Sequence, residues 1–137
     1  SALDANVAKP GDRFPLSPAH QETFSLENNH ATHDALLTMR FSIKSVSSQF
    51  LRGDDANREQ LLAPYALANA GFSVQMAAFT ISSYVQNLFD RRYNSFGVFG
   101  DNPLGPIGGP RPATPTEERF STPGFPRAVT VSLSLRI

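Results

Sequence analysis

The 137-residue chain contains no cysteine. Disulfide frameworks, zinc–thiolate sites and cysteine nucleophiles are therefore excluded. Charge is scarce as well: Asp, Glu, Lys and Arg make up 18% of residues, against roughly 25% in ordinary soluble domains. Cations and anions balance, the sequence pI is about 6.8, and the overall charge leaves no electrostatic footprint for nucleic acid or anionic lipid. No apolar run approaches the roughly 18 residues of a membrane helix. No cationic, apolar signal peptide opens the chain; it starts at Ser1 in polar, Pro-containing sequence, where a mature start and an internal cut look alike. Nucleophile elbows, phosphate-binding glycine loops and His-Glu helix motifs are absent too, so no enzymatic chemistry and no cofactor are expected. With apolar content at 40%, the polar share consists of Ser, Thr, Asn and Gln. That mixture suits the polar interior of a porin-like barrel, and equally a secreted β-sandwich.

What the chain does have is alternation. Phe79, Ile81 and Val85 share one face of a stretch whose other face holds Thr80, Ser82 and Gln86, the period of two that marks a strand. Residues 79–93 read as this one strand, ending in Leu88, Phe89 and Tyr93 just before Gly97 and Gly100. Leu37, Met39, Phe41 and Ile43 alternate with Thr38, Arg40, Ser42 and Lys44. The two cations on that second face point it toward water. Val129, Val131, Leu133, Leu135 and Ile137 alternate with Thr130, Ser132, Ser134 and Arg136, the cleanest pattern in the chain. A weaker alternation begins at His20, with Phe24 and Leu26 on one side, and residues 65–74 form an Ala-rich strand of ambiguous facing. The expected fold is all-β: an antiparallel up-and-down meander of about five strands, several near the ten residues that a tilted membrane strand needs.

The connections sort by length. Residues 28–34 and 75–78 read as short turns; residues 1–19, 51–64 and 94–127 read as long loops. The last holds seven of the eleven prolines and six of the nine glycines, and reads as a connection without internal structure, hence a binding loop or disorder. Gly97, Gly100, Gly105, Gly108 and Gly109 are loop punctuation within it. Short turns on one side and long loops on the other is the plan of outer-membrane barrels.

Several segments resemble a known family. Asn87-Leu88-Phe89-Asp90-Arg91-Arg92-Tyr93, then Phe96-Gly97, then Pro123-Gly124-Phe125-Pro126-Arg127 before a final alternating strand, are similar to the C-terminal end of a TonB-dependent outer-membrane receptor. Gly11-Asp12-Arg13-Phe14-Pro15-Leu16-Ser17-Pro18-Ala19-His20 resembles that family's Pro-rich approach to a late strand, residues 47–57 its late extracellular loop, and Pro64-Tyr65-Ala66-Leu67-Ala68-Asn69 the strand that follows. The resemblance runs through nearly the whole chain in order. It implies a barrel of about 22 strands with an N-terminal plug, set in the outer membrane of a Gram-negative bacterium. Such a receptor takes up scarce ligands such as ferric siderophores, energised by a TonB-type inner-membrane complex. The expectation is that residues 1–137 supply the barrel's C-terminal strands, without plug or energy-coupling box, and so neither transport nor are gated alone. Ile137 departs from the aromatic residue with which such barrels usually finish. The long loops would then be extracellular, and the strand ending at Tyr93 would leave the membrane there. Phe89 and Tyr93 read first as a membrane girdle. Arg91, Arg92, Phe96, Phe99, Arg111 and Arg119 are the candidate ligand-binding residues of the outer rim and loop, since aromatic and Arg side chains suit such contacts. Arg40, Lys44 and Arg136 would line a watery lumen.

Other residues invite a functional reading and receive a plainer one. His30, His33 and Asp34 mimic a metal cluster, but an i, i+3 pair in a short turn is ordinarily solvated; His20 is the only other histidine. Asp54 and Asp55 sit between Arg52 and Arg58, where local ion pairing is the simpler role than acid–base chemistry. The alternative from another class is a secreted β-sandwich or soluble barrel acting as an adhesion or carbohydrate-binding module. The two diverge in plain buffer. Five open barrel strands would leave unpaired edges and a naked apolar face. The isolated chain without detergent is therefore expected to rearrange or aggregate, by light scattering and circular dichroism; a folded, soluble monomer would count against the barrel.

Overall fold

A computed structural model describes residues 7–102 and 116–136. Among them every regular element is a strand: β1 Gln21–Ala31, β2 Ala35–Val46, β3 Tyr65–Met76, β4 Phe79–Gln86, β5 Asn94–Asn102, β6 Thr116–Pro123 and β7 Ala128–Leu135. They form two antiparallel sheets, one of five strands in the order β1-β2-β3-β4-β7 and one of two, β5-β6. The chain divides into two compact units. One contains the five-stranded sheet (residues 20–46, 65–92 and 125–137); the other comprises residues 1–19, 47–64 and 93–124.

In the sheet, β1, β2 and β3 are 11, 12 and 12 residues long. Register pairs Gln21 with Val46 and Val46 with Tyr65, and pairs Gln86 with Ala128, so the long connections all leave the sheet at one end. At the other end the turns are short. Residues 32–34 join β1 to β2, with the Thr32 hydroxyl accepting from the Ala35 amide at 3.1 Å and donating to its carbonyl at 3.0 Å. Ala77 and Ala78 alone join β3 to β4, which forces the two strands to be antiparallel neighbours.

Three sequence expectations change. Residues 28–31 belong to β1, not to the turn that follows. The strand read over residues 79–93 stops at Gln86, because Asn87 and then Asp90 leave the extended backbone region for left-handed angles of φ 49° and 50°. The long connection is not structureless: β5 and β6 pair within it from Asn94↔Pro123 to Asn102↔Thr116, with a bulge between Asn94 and Phe96. The meander therefore has seven strands in sequence and five in its sheet, and β7 pairs with β4 across an intervening hairpin. Gly97 misled the reading. It lies inside β5, and the position needs glycine because a Cβ there would collide with Leu51 and stand 3.1 Å from Leu62. Arg111 and Ile137 lie outside the described residues.

The second unit is organised around Leu51 and Leu62, both fully buried. Gln49 and Leu62 form an antiparallel bridge, and Arg52 bridges to β5 by accepting from the Phe99 amide at 2.8 Å and donating to the Gly97 carbonyl at 2.9 Å. The Asp54 carboxylate is buried and accepts the amides of Arg58 (2.8 Å) and Glu59 (3.0 Å), closing the charged loop on itself. The ion pairing expected of Asp54 gives way to these backbone bonds, which satisfy a buried carboxylate equally well. Asn57 binds residue 13 both ways, accepting from the Arg13 amide at 2.6 Å and donating to its carbonyl at 2.9 Å. The Arg13 guanidinium lies 5.0 Å over the Phe50 ring.

Gly53 is the position that no other residue fills. Its φ of 88° is left-handed, and a Cβ there would run into the Phe99 carbonyl oxygen. Gly53→Ala is expected to destabilise this unit by about 1–3 kcal/mol from backbone strain alone, with the clash added. It should read out as a lower urea midpoint in detergent and faster proteolysis of residues 47–64, with the sheet's circular dichroism retained.

Candidate functional site

Residues directly opposite in a ladder point to the same side, so the register assigns every side chain of the sheet to a face. On one face Phe24 opposes Ile43 and Leu26 opposes Phe41, Met39 opposes Phe72 and Leu37 opposes Val74, Val74 opposes Ile81, and Ile81 opposes Leu133. In β3, β4 and β7 the only polar residue on this face is Ser83; Glu22, Asn28 and His30 of β1 and Ser45 of β2 add others toward the first edge. Eleven large side chains here stand open: Phe24, Leu26, Met39, Ile43, Phe72, Met76, Ile81, Val129, Val131, Leu133 and Leu135, with Phe24 at 63% and Val131 at 71% exposure. Each is worth about 1.5–3 kcal/mol when fully buried. A face of this size needs an apolar partner.

The opposite face is hydroxylic and amidic. Arg40 donates its Nε to Glu27 Oε2 at 2.7 Å across the β1–β2 ladder. Asn29 donates to Glu27 Oε1 at 3.0 Å, and Thr38 to Asn29 Oδ1 at 2.7 Å. Asn69 donates to Ser42 Oγ at 3.2 Å, and the Ser82 and Ser132 hydroxyls meet at 2.7 Å. Tyr84 sits opposite Gly71, where a Cβ would stand 3.1 Å from its ring; the missing side chain lets the ring lie down on the sheet. Two shallow hollows flank Arg40 and Tyr84, one lined by Thr38, Ser73 and Ser82, the other by Ser25, Glu27, Ser42 and Asn69. Lys44 lies on this face between Thr23 and Leu67. Arg136, just past β7, donates its amide to the Ala78 carbonyl at 2.9 Å.

At the long-connection end, Asn87 works as a clip. Its amide donates to Asn69 Oδ1 at 3.0 Å, its Oδ1 accepts the Arg91 amide at 2.8 Å, and its Nδ2 donates to the carbonyls of Arg91 (2.9 Å) and Phe125 (3.1 Å). Asn87 is buried with its polar atoms satisfied, and an Asn tolerates the left-handed backbone it needs. Asp90 adds a second tie by accepting the Arg127 amide at 2.9 Å. The segment leaving β4 is thus stitched to the segment entering β7, and sequence reading of residues 87–93 missed both clips. The left-handed tolerance of Asn and Asp, set three residues apart, was the available signal.

The candidate ligand-binding residues separate. Arg91 and Arg92 belong to the sheet unit; Phe96, Phe99 and Arg119 belong to the other. There Phe99 and Arg119 are direct cross-strand partners and Phe96 opposes Thr122. The Arg119 guanidinium is engaged by Gln60 Oε1 at 3.0 Å and the Leu61 carbonyl at 3.3 Å, which ties β6 to residues 60–61. Of the girdle pair, Phe89 is 77% exposed, whereas Tyr93 is half-buried and its ring occupies the space a Cβ of Gly124 would take. His33 and Asp34 lie 3.9 Å apart, both nearly fully exposed. Among the described residues no three His, Cys, Asp or Glu side chains group as metal ligands, and no helix is long and apolar enough to cross a membrane.

No protein-family model, curated protein or solved structure matches the chain. Asn87→Ala removes three side-chain hydrogen bonds at a buried site and is expected to cost about 2–4 kcal/mol. Trypsin cleavage after Arg91 and Arg92 should accelerate in parallel. Unchanged cleavage would show that the clip does not hold the turn.

Proposed function

We propose that this chain forms part of the wall of a transmembrane β-barrel, in a nutrient-uptake receptor of the TonB-dependent kind. The observation that carries the reading is the contrast between the faces, mainly apolar and open on one side and mainly hydroxylic and amidic on the other, kept in phase across five antiparallel strands. A barrel wall needs just this contrast, since lipid lies outside and water or polar protein inside. Strands β1, β2 and β3, at 11, 12 and 12 residues, have the length that a tilted membrane strand needs, about 9–11 residues, whereas β4 and β7 have 8 each. A two-residue turn and a three-residue turn at one end, against long connections at the other, match short periplasmic turns and long extracellular loops. A soluble sandwich would need a second sheet of comparable width, and the other sheet has two strands.

In this reading the apolar face meets outer-membrane lipid, Arg40, Lys44 and Arg136 face the lumen, and residues 47–64 and 93–124 face the outside of a Gram-negative cell. The ligand is a siderophore or similar scarce molecule, met by Phe96, Phe99 and Arg119 among others, and the driving force comes from a TonB-type complex. The chain acts as receptor and transporter wall, with no catalytic role.

The absence of native cysteine makes the test clean. Single cysteines placed in turn at residues 128–135, in the chain refolded into lipid vesicles, should alternate. Positions 129, 131, 133 and 135 should react with a lipid-soluble maleimide and resist a charged one; the even positions should do the reverse. Uniform reaction with the charged reagent along the strand would sink the barrel assignment.

A further inference from the structure

The balanced net charge conceals a local imbalance at the clip. Arg91, Arg92 and Arg127 are all exposed, and none of their guanidinium groups meets a partner among the described residues. The nearest anion in the turn, Asp90, is already accepting the Arg127 amide. Beside the arginines stand two of the most exposed aromatic residues of the chain, Phe89 at 77% and Phe125 at 84%. The hydrogen bonds of Asn87 to the Arg91 and Phe125 carbonyls hold both segments in one place, so the cluster is presented on a fixed turn rather than on a free loop. Phe125 and Arg127 also stand in step with Val129, four and two residues before the first open aliphatic side chain of β7.

Exposed Phe beside unpaired Arg, at the end of an apolar face, matches the boundary between acyl chains and an anionic head-group layer. The rings take the apolar side, and the planar guanidinium forks pair with phosphate oxygens bidentately. We infer that the cluster of Arg91, Arg92 and Arg127, flanked by Phe89 and Phe125, binds the phosphate groups of anionic membrane lipid and fixes the depth of the sheet in the bilayer. This rests on the barrel reading above and names the lipid chemistry that the rim selects.

The test uses the full chain refolded in the presence of vesicles of phosphatidylcholine alone or with added phosphatidic acid, with binding followed by flotation and the fold by circular dichroism. Tighter binding to the phosphatidic acid vesicles is expected, by up to about a hundredfold at low salt for three cations, falling as salt rises. The triple variant R91Q/R92Q/R127Q should lose the preference while still entering phosphatidylcholine, and R91K/R92K/R127K should keep most of it. Equal affinity of the wild type for both vesicles, or a preference that survives in the Gln variant or in high salt, overturns this inference alone. Full competition by inorganic phosphate in the aqueous phase also overturns it, marking a site for free phosphate. Failure to enter phosphatidylcholine at all overturns the barrel reading and this inference with it.

Discussion

Backbone register is the constraint on which the rest depends. Side chains alternate across a strand, so a slip of one residue in any ladder exchanges the two faces of that strand. In this chain the four ladders β1–β2, β2–β3, β3–β4 and β4–β7 are all in phase. That is why Leu26, Phe41, Val85 and Val129 end on one side and Glu27, Arg40, Tyr84 and Thr130 on the other. The polar pairs reinforce the choice. A slip between β1 and β2 would part Glu27 from Arg40, and one between β4 and β7 would part Ser82 from Ser132. The contribution of each exposed pair is small, but the penalty for turning a row of aliphatic residues toward the polar side is not.

The two units solve different problems with the same backbone chemistry. The sheet has length and regularity and leaves its apolar side chains open. The other unit has almost no regular structure beyond one hairpin, and seals its two central leucines with backbone bridges, glycines and a carboxylate folded onto its own loop. Gly53 and Gly97 permit close approach of chain to chain where a side chain would block it. A loop region built this way keeps a defined surface without a large core.

Period-two alternation made the sheet legible: β2, β4 and β7 follow from their odd and even residues, and the connections fall where that alternation lapses. The neighbour of β7 was harder to reach, because pairing across the β5–β6 hairpin is a non-local contact that no window of residues reports. The hairpin itself was hidden by its composition. Gly97, Gly100 and the flanking prolines read as loop, and only the bulk of Leu51 and Leu62, far away in sequence, explains why a strand position there carries glycine. Phe89 and Arg91 were legible as residues of interest, but not the clip that holds them, since Asn87 reaches Phe125 across 38 positions. Such a partner is fixed by topology rather than by local pattern.

The connection between β4 and β7 also bears on the order in which the chain assembles. About forty residues separate Gln86 from Ala128, and closing a flexible loop of that length costs roughly 2 kcal/mol more in entropy than closing one a tenth as long. Pairing β5 with β6 brings Asn94 opposite Pro123, and the Gly124 amide then finds the Tyr93 carbonyl at 2.8 Å. With those ends gathered, Asn87 and Asp90 need span only a short gap to reach Phe125 and Arg127. The hairpin would then act as a guide for the last strand, leaving β4 with an open edge until the excursion has folded and letting β7 zip on from its Ala128 end toward Leu135. An edge strand that can be completed only after its own loop has closed is exposed to mispairing for longest. Any aggregation of this chain would then be a matter of timing as well as of surface.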